Sequence, residues 1–385
     1  MMVPEGWEVT ALENVLTIKY GKDQKEVESI DGRYPILGTG GIIGYTNSFL
    51  CDKPSVLIGR KGTINSPMYM NTPFWTVDTL FYSHIKKNND PKWVFYIFQS
   101  INWTKHNEAS GVPSLSAGNI NRVKIKRPLF SEQQKIAFIL STLDRTIEAT
   151  QKLIDKEKMV KKGLMADLLT HGIDEQGRIR SPQTHTYVDS PLGMIPQGWN
   201  TTTLGDTAIF NAGYAFKNHE LSEFGLKVVR ISNLHKSSFP YWHYDGKIKK
   251  TWIVDKGDLL FSWAGVANSI DCVKYEGELA LLNQHIFNLK IKDQVLKEFT
   301  FQYLQFHLPQ LREEIEGGAG QLHLTKSKIE SICIPDMKLS EKNKIVELFT
   351  AQDRKIETEK TNLAKLRNLK KGLMGDLLSG DVRVK

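Results

Sequence analysis

The sequence predicts an α+β protein: two mixed α/β modules of unlike sequence, each closed by a long helix, related by an internal pseudo-twofold repeat. Three observations carry this. An opening motif recurs, with Pro4, Gly6, Trp7 and Leu12 matching Pro196, Gly198, Trp199 and Leu204, 192 positions on. A closing block recurs without a gap: 17 of the 42 positions in 131–172 are identical in 340–381, 209 positions on, and KKGLMADLL returns as KKGLMGDLL. The segments between, roughly 16–110 and 208–319, share little, and the two offsets make the second half 17 residues longer. A repeated frame around divergent inserts is the signature of a duplicated architecture.

Within each half the elements follow from local pattern. The first insert alternates apolar runs with glycine-rich turns: YPILGTGGIIGYTNS, PSVLIGRKGT and PFWTVDTLFYSHI read as strands and turns, and 92–99 as a short helix. In the second insert LKVVRISNL, KGDLLFSWAG and HIFNLKI read as strands and 299–316 as a helix. Before each long helix the frame reappears, with Gly111, Leu115, Ile120 and Ile125 matching Gly320, Leu324, Ile329 and Ile334.

The closing block reads as one helix. Ser131 and Glu132 suit its start, since an acid near the positive end of the helix dipole stabilises it. Apolar residues recur at steps of four and three, as Ile136, Leu140, Leu143, Ile147, Ile154, Leu164 and Leu168. The second copy repeats this with Ile345, Phe349, Ile356, Leu363, Leu366, Leu373 and Leu377. That is coiled-coil spacing, broken at Thr150, Glu157 and Lys161, and two such helices most simply pack on each other. About 38 residues of helix span roughly 57 Å, more than the roughly 34 Å of a DNA turn. Polar residues 171–191, with Gly172, Gly177, Pro182 and Pro191, read as a linker.

Composition bounds the function. At 385 residues the chain suits two or more domains. A formal charge of +8 and a pI of about 9.1 suit a polyanionic partner. Cys51, Cys272 and Cys333 are scattered, as in a reducing compartment, and form no CxxC metal site. No run approaches the roughly 20 apolar residues of a membrane span. The opening residues lack the pattern of a signal peptide. The expected location is the cytoplasm.

Enzyme signatures fail in turn. There is no GxxxxGK[ST], no GxSxG and no HExxH. Gly38-Thr39-Gly40-Gly41 with Gly44 has the look of a cofactor loop, and Asn71-Thr72-Pro73-Phe74 that of an adenine methyltransferase motif. No helix is expected after the glycines, the tetrapeptide departs at its second residue, and neither motif recurs in the second half. Exposed loops instead carry side chains suited to base edges, arginine or lysine for guanine and amides for adenine. In the first insert these are Lys22, Tyr45, Asn47, Arg60, Lys61, Lys105 and His106. In the second they are Lys217, Asn218, Arg230, Asn233, Lys236, Trp263, Asn283, Gln284 and His285. Each is also readable as ordinary surface, and Trp263 as core. Lys247, Lys249 and Lys250 suit phosphates. The helix lysines Lys156, Lys161, Lys162, Lys365, Lys370 and Lys371 read as a solvated face or a partner surface.

The P-x-G-W opening, the variable insert, S-E-x-x-K-I and G-L-M-x-D-L-L together resemble one half of a type I restriction–modification specificity subunit. V-x-K-G-D-L-L-F (254–261) and P-S-V-L-I-G-R-K-G (54–62) add to the likeness, which covers essentially the whole chain. The resemblance implies target-recognition domains at 1–130 and 195–338, helices at 131–171 and 339–380 pairing antiparallel, and a linker at 172–194. It implies double-stranded DNA as partner, with each domain reading half of a bipartite, asymmetric sequence and the helices setting the spacer. It implies two methyltransferase subunits carrying S-adenosylmethionine and motor–nuclease subunits carrying ATP and Mg, with no cofactor, metal or catalytic residue on this chain. The competing expectations are a stand-alone DNA-binding regulator and, against the motif evidence, an adenine methyltransferase.

Overall fold

The computed structural model describes residues 3–236, 238–316 and 322–384. Gly320, matched above to Gly111, lies outside the described residues. The chain divides into two compact units. One joins the chain up to Leu153 with Glu359 onward; the other is Ile154–Thr358. Both long helices, Phe130–Thr170 and Leu339–Ser379, are continuous and are cut by this division. Each unit therefore holds one insert, the first half of the helix that follows it, and the last half of the other helix.

In the first unit the opening strand Glu8–Ala11 pairs antiparallel with Lys124–Arg127, closing the frame around the insert. Inside lie a four-stranded antiparallel sheet and a three-stranded one. The larger runs in the order Leu16–Tyr20, Leu80–Ile85, Ser55–Gly59, Met68–Met70. The smaller has Tyr34–Gly38 between an antiparallel Gly41–Thr46 and a parallel Trp75–Thr76. Helix Pro91–Ser100 starts where Asp90 accepts a hydrogen bond from the Trp93 amide with Pro91 at the first position, a strong start signal. Its Trp93, Tyr96 and Phe98 share one core with Ile136 and Leu140 of the first long helix and Leu377 and Leu378 of the second.

The second unit repeats this design. Asn200–Thr203 pairs with Cys333–Asp336, and the register is that of the first unit: Glu8↔Arg127 becomes Asn200↔Asp336 at the two sequence offsets. Its larger sheet runs Ile209–Ala212, Ile286–Lys290, Leu259–Ser262, Asp271–Lys274, and its smaller one has Leu226–Val229 antiparallel to Trp242–Tyr244 and parallel to Ala280–Leu282. These are the connections of the first insert, strand for strand. The additional strand Ile253–Val254 takes up part of the extra length. Two inserts with little common sequence thus share one topology. One repeated glycine marks the shared topology: Gly21 and Gly213, 192 apart, each follow the first strand of the larger sheet and pass so close to the end of the smaller sheet's parallel strand that an added Cβ would lie 2.0 Å from the Val77 carbonyl oxygen and 2.2 Å from that of Asn283.

Several expectations need correction. LKVVRISNL is a strand only over Leu226–Val229, after which Ile231–His235 is a helical turn. The helix expected at 299–316 begins at Gln294 and runs through Pro309. The segment read as a linker is ordered in the second unit: Tyr187–Val188 pairs with Ile195–Pro196, and Ile173 is buried in that unit's core. Lys161 and Lys370 are not a solvated face. Both side chains are about four-fifths buried and ion-paired, Lys161 Nζ to Asp353 Oδ1 and Lys370 Nζ to Asp144 Oδ1, each at 2.6 Å. No helix among the described residues is long and apolar enough to cross a membrane.

Candidate nucleic-acid interface

The same three backbone hydrogen bonds, one from the frame and two within the insert, set up the candidate surface in both units. In the first unit the Leu115 amide donates to the Arg60 carbonyl at 2.9 Å, and the Arg60 amide donates to that of Thr79 at 2.8 Å. The Lys22 amide donates to the Thr76 carbonyl at 2.9 Å. In the second unit Leu324 donates to Trp263 at 3.0 Å, Trp263 to His285 at 3.2 Å and Tyr214 to Leu282 at 2.8 Å. Leu115 and Leu324 are frame residues 209 apart, and both are buried. They fasten a loop tip of each insert, where exposed side chains gather.

In the first unit that surface carries Lys22 and Lys61, both exposed, and Arg60, half-buried. The Arg60 guanidinium donates to the Asp78 carbonyl at 3.2 Å and lies 5.8 Å from the Tyr20 ring centre, which holds it at the rim. Lys61 bridges to Ser114, and the loop containing Ser114 is tied back through Asn107. Lys105 and His106 stand in the turn leading into that loop, beside Asn119 and Arg122 in a hollow of about 260 Å³. The Gly38–Gly41 turn sits at the same end, with Thr39 beside Gly62. It is a hairpin turn followed by a strand, so it lacks the helix N-terminus that a cofactor phosphate would need. Tyr45 and Asn47 are exposed at the opposite end of that hairpin, and Asn47 accepts a hydrogen bond from the Arg33 amide. The structure does not bring them to the other candidates.

In the second unit Asn283, Gln284 and His285 form the loop that faces Trp263. The Trp263 and His285 rings are 5.2 Å apart, and Gln284 Nε2 is 3.1 Å from His285 Nε2. Gln284 is the exposed member. Trp263 is half-buried and stacked 5.9 Å from Phe287, so one face packs on the core. The parallel pairing of Val229 with Leu282 brings Arg230 to the same edge. Its guanidinium lies 4.1 Å from the Trp242 ring centre and donates to the Pro240 carbonyl, and burial lowers its pKa. Asn233 departs from the expected exposure. It is buried, accepts from the Arg230 amide at 3.1 Å and donates to the Phe239 carbonyl at 2.8 Å, so its amide shapes the loop. Lys236 is exposed beyond it, and Lys217 and Asn218 are exposed at the turn that follows Tyr214.

Tyr214 was missed by sequence inspection. It is the counterpart of Lys22 at offset 192, and continuing the opening alignment past Leu12 to Gly21 would have found it. The two surfaces are equivalent in backbone and unlike in side chains: Arg60-Lys61 stands in one where Trp263-Ala264 stands in the other. Cationic, amide and aromatic groups on loop tips can pair with phosphates and base edges. Among the described residues, no group of three or more His, Cys, Asp or Glu could hold a metal ion.

The frame also builds a second repeated constellation, at each helix start. Trp7 Nε1 donates to Glu132 Oε2 at 3.0 Å, and Trp199 Nε1 to Glu341 Oε2 at 3.4 Å. Each glutamate is gripped at both oxygens by an arginine, Arg383 in the first unit and Arg180 in the second. Each arginine follows the end of the other long helix. Burial raises the Glu132 carboxyl, but donors from Arg383, Trp7 and the Val384 amide outweigh it and hold its pKa below the ordinary value.

Known proteins resemble this chain along its length. Residues 4–157 and 196–368 match the family described as type I restriction modification DNA specificity domain. The type I restriction enzyme MjaVIII specificity subunit of Methanocaldococcus jannaschii is 24% identical over 430 residues, covering all of this chain and 95% of the relative. A second protein of that organism, named as the MjaX specificity subunit, is 26% identical over 422 residues with the same coverage. In fold, the S subunit of a type I restriction–modification system from M. genitalium is similar with a TM-score of 0.65, 15% identity and 98% of each chain covered. A chain from a study of complex assembly and conformational transition in the type I R-M system has a TM-score of 0.60 at 13% identity, covering 99% of this chain and 100% of that one.

Proposed function

The chain belongs to the type I restriction modification DNA specificity domain family, and from that premise we propose that it reads a bipartite, asymmetric DNA target for a type I restriction–modification complex. Each unit reads one half-site. Lys22, Arg60 and Lys61 serve in the first, and Trp263, Asn283, Gln284 and His285 in the second. Adenine methylation belongs to two methyltransferase subunits carrying S-adenosylmethionine, and restriction to motor–nuclease subunits carrying ATP and Mg. This chain contributes recognition and no catalytic residue, and it acts where the DNA is, in the cytoplasm.

The observation that carries this is the equivalence of the two inserts in strand topology and frame contacts, combined with their different loop-tip side chains. Equal geometry with equal chemistry would read a palindrome; equal geometry with unlike chemistry reads two different half-sites. Two weak readers on one body gain through effective concentration when their spacing matches the site.

The test is co-expression with methyltransferase subunits, size-exclusion chromatography, and mapping of methylated adenines. The expected result is a defined complex and a bipartite motif that disappears when this chain is omitted. A chain that stays alone, binds DNA tightly and leaves methylation unchanged would be a stand-alone regulator. Calorimetric binding of S-adenosylmethionine by the purified chain would instead indicate a methyltransferase.

A further inference from the structure

We propose that Asp144 and Asp353 are positioning residues that fix the angle of each DNA-reading insert on its helices. Each does so by joining a lysine of one long helix to a buried polar side chain of the insert. The inference rests on the function proposed above.

The two aspartates are 209 apart, and so are their lysines, Lys161 and Lys370. In the first unit Asp144 Oδ1 takes Lys370 Nζ at 2.6 Å, and its other oxygen accepts from the Tyr96 hydroxyl at 2.8 Å. Tyr96 is fully buried on helix Pro91–Ser100. Lys370 also reaches Gln99 at 3.4 Å, on the next turn of that helix. In the second unit Asp353 Oδ1 takes Lys161 Nζ at 2.6 Å, and Oδ2 accepts from Gln302 Nε2 at 3.1 Å. Gln302 is fully buried on helix Gln294–Glu316.

The lysine and aspartate recur, whereas the insert's contribution differs, tyrosine in one and glutamine in the other. A repeated frame thus offers the same anchor to two divergent inserts. Apolar packing beneath the insert helix is non-directional and tolerates rocking. A hydrogen bond between a buried donor and an ion-paired carboxylate has a fixed length and direction, and losing it leaves a buried polar group without its partner. The anchor therefore governs orientation, which decides whether both loop tips meet their half-sites at one spacer length.

The experiment uses the full chain assembled with its methyltransferase subunits on DNA carrying the native half-sites. Spacers are the native length and one base pair longer or shorter. Tyr96→Phe, which keeps the ring in the core, and Asp144→Asn are compared with Gln302→Met and Asp353→Asn. The expected result is a roughly five- to tenfold rise in methylation of off-length spacers relative to the native one, with both half-site sequences unchanged. The Tyr96→Phe/Asp144→Asn double variant should shift less than the sum of the two singles, because both act on the one Tyr96–Asp144 contact. Melting that falls while all spacers lose methylation in proportion overturns the proposal, as does an unchanged ratio in Tyr96→Phe. If the wild-type complex shows no bipartite motif at all, the proposed function fails and this inference falls with it.

Discussion

Trp7 and Glu132 stand 125 residues apart in sequence and are joined by a buried 3.0 Å hydrogen bond that ties the opening motif to the start of the first long helix. Arg383 completes the contact from the end of the second helix. Glu132→Gln should destabilise the protein by about 2 kcal/mol, below the usual loss for breaking a buried pair because Arg383 is partly exposed. Urea unfolding at pH 7 measures it. The folded carboxyl titrates below its unfolded value near 4.5. Its contribution is therefore full above that value and lost as pH falls through the folded one. The wild-type advantage should vanish in acid; an advantage that persists there would refute the ion-pair account.

Gly21→Ala and Gly213→Ala should each cost about 1–3 kcal/mol, since the new methyl would meet a backbone carbonyl that cannot swing aside. Gly40→Ala, with nothing within 4 Å of the added carbon, serves as the control. Thermal melts that treat all three alike would contradict the close approach.

Glu157 occupies a seam position and is satisfied there by Gln352 Nε2 at 2.8 Å and Lys355 Nζ at 2.7 Å. The equivalent positions of the other half are Leu366 and Leu143. Glu157→Leu with Gln352→Leu should melt at or above the wild-type temperature, since apolar packing replaces a polar pair as it already does in the first unit. Gln352→Leu alone should melt lower. A double variant less stable than either single would show that the polar pair is required for folding.

Lys61→Ala and Gln284→Ala should leave melting unchanged and alter methylation, Lys61→Ala on one half-site and Gln284→Ala on the other. Asn233→Ala should instead lower the melting temperature, because its amide organises the loop. Methylome sequencing beside calorimetry separates the two classes.

The unit boundaries at Leu153 and Thr358 identify where the helices can be lengthened. Inserting seven residues after each keeps the seam and both lysine–aspartate pairs, and adds about 10 Å of helix. The preferred spacer should lengthen by about three base pairs, with both half-sites preserved. A change in the half-sites would break the proposed division of labour.

Duplication, the long helices and the class of partner were legible in the sequence, because apolar periodicity and repeated motifs are written in consecutive residues. KKGLMADLL and its second copy marked the frame, and the unlike inserts marked two readers. The common topology of those inserts was not legible. A strand pairs through backbone groups that every residue carries, so Leu226–Val229 and Tyr34–Gly38 can occupy equivalent places with unrelated side chains. Nor could sequence tell Lys161, ion-paired against Asp353, from Lys162, which is exposed. Burial is a property of what folds against a residue. Only the tertiary structure decided that Lys161 is buried in an ion pair while Lys162 is exposed, and that Asn233 organises its own loop while Gln284 is exposed on another.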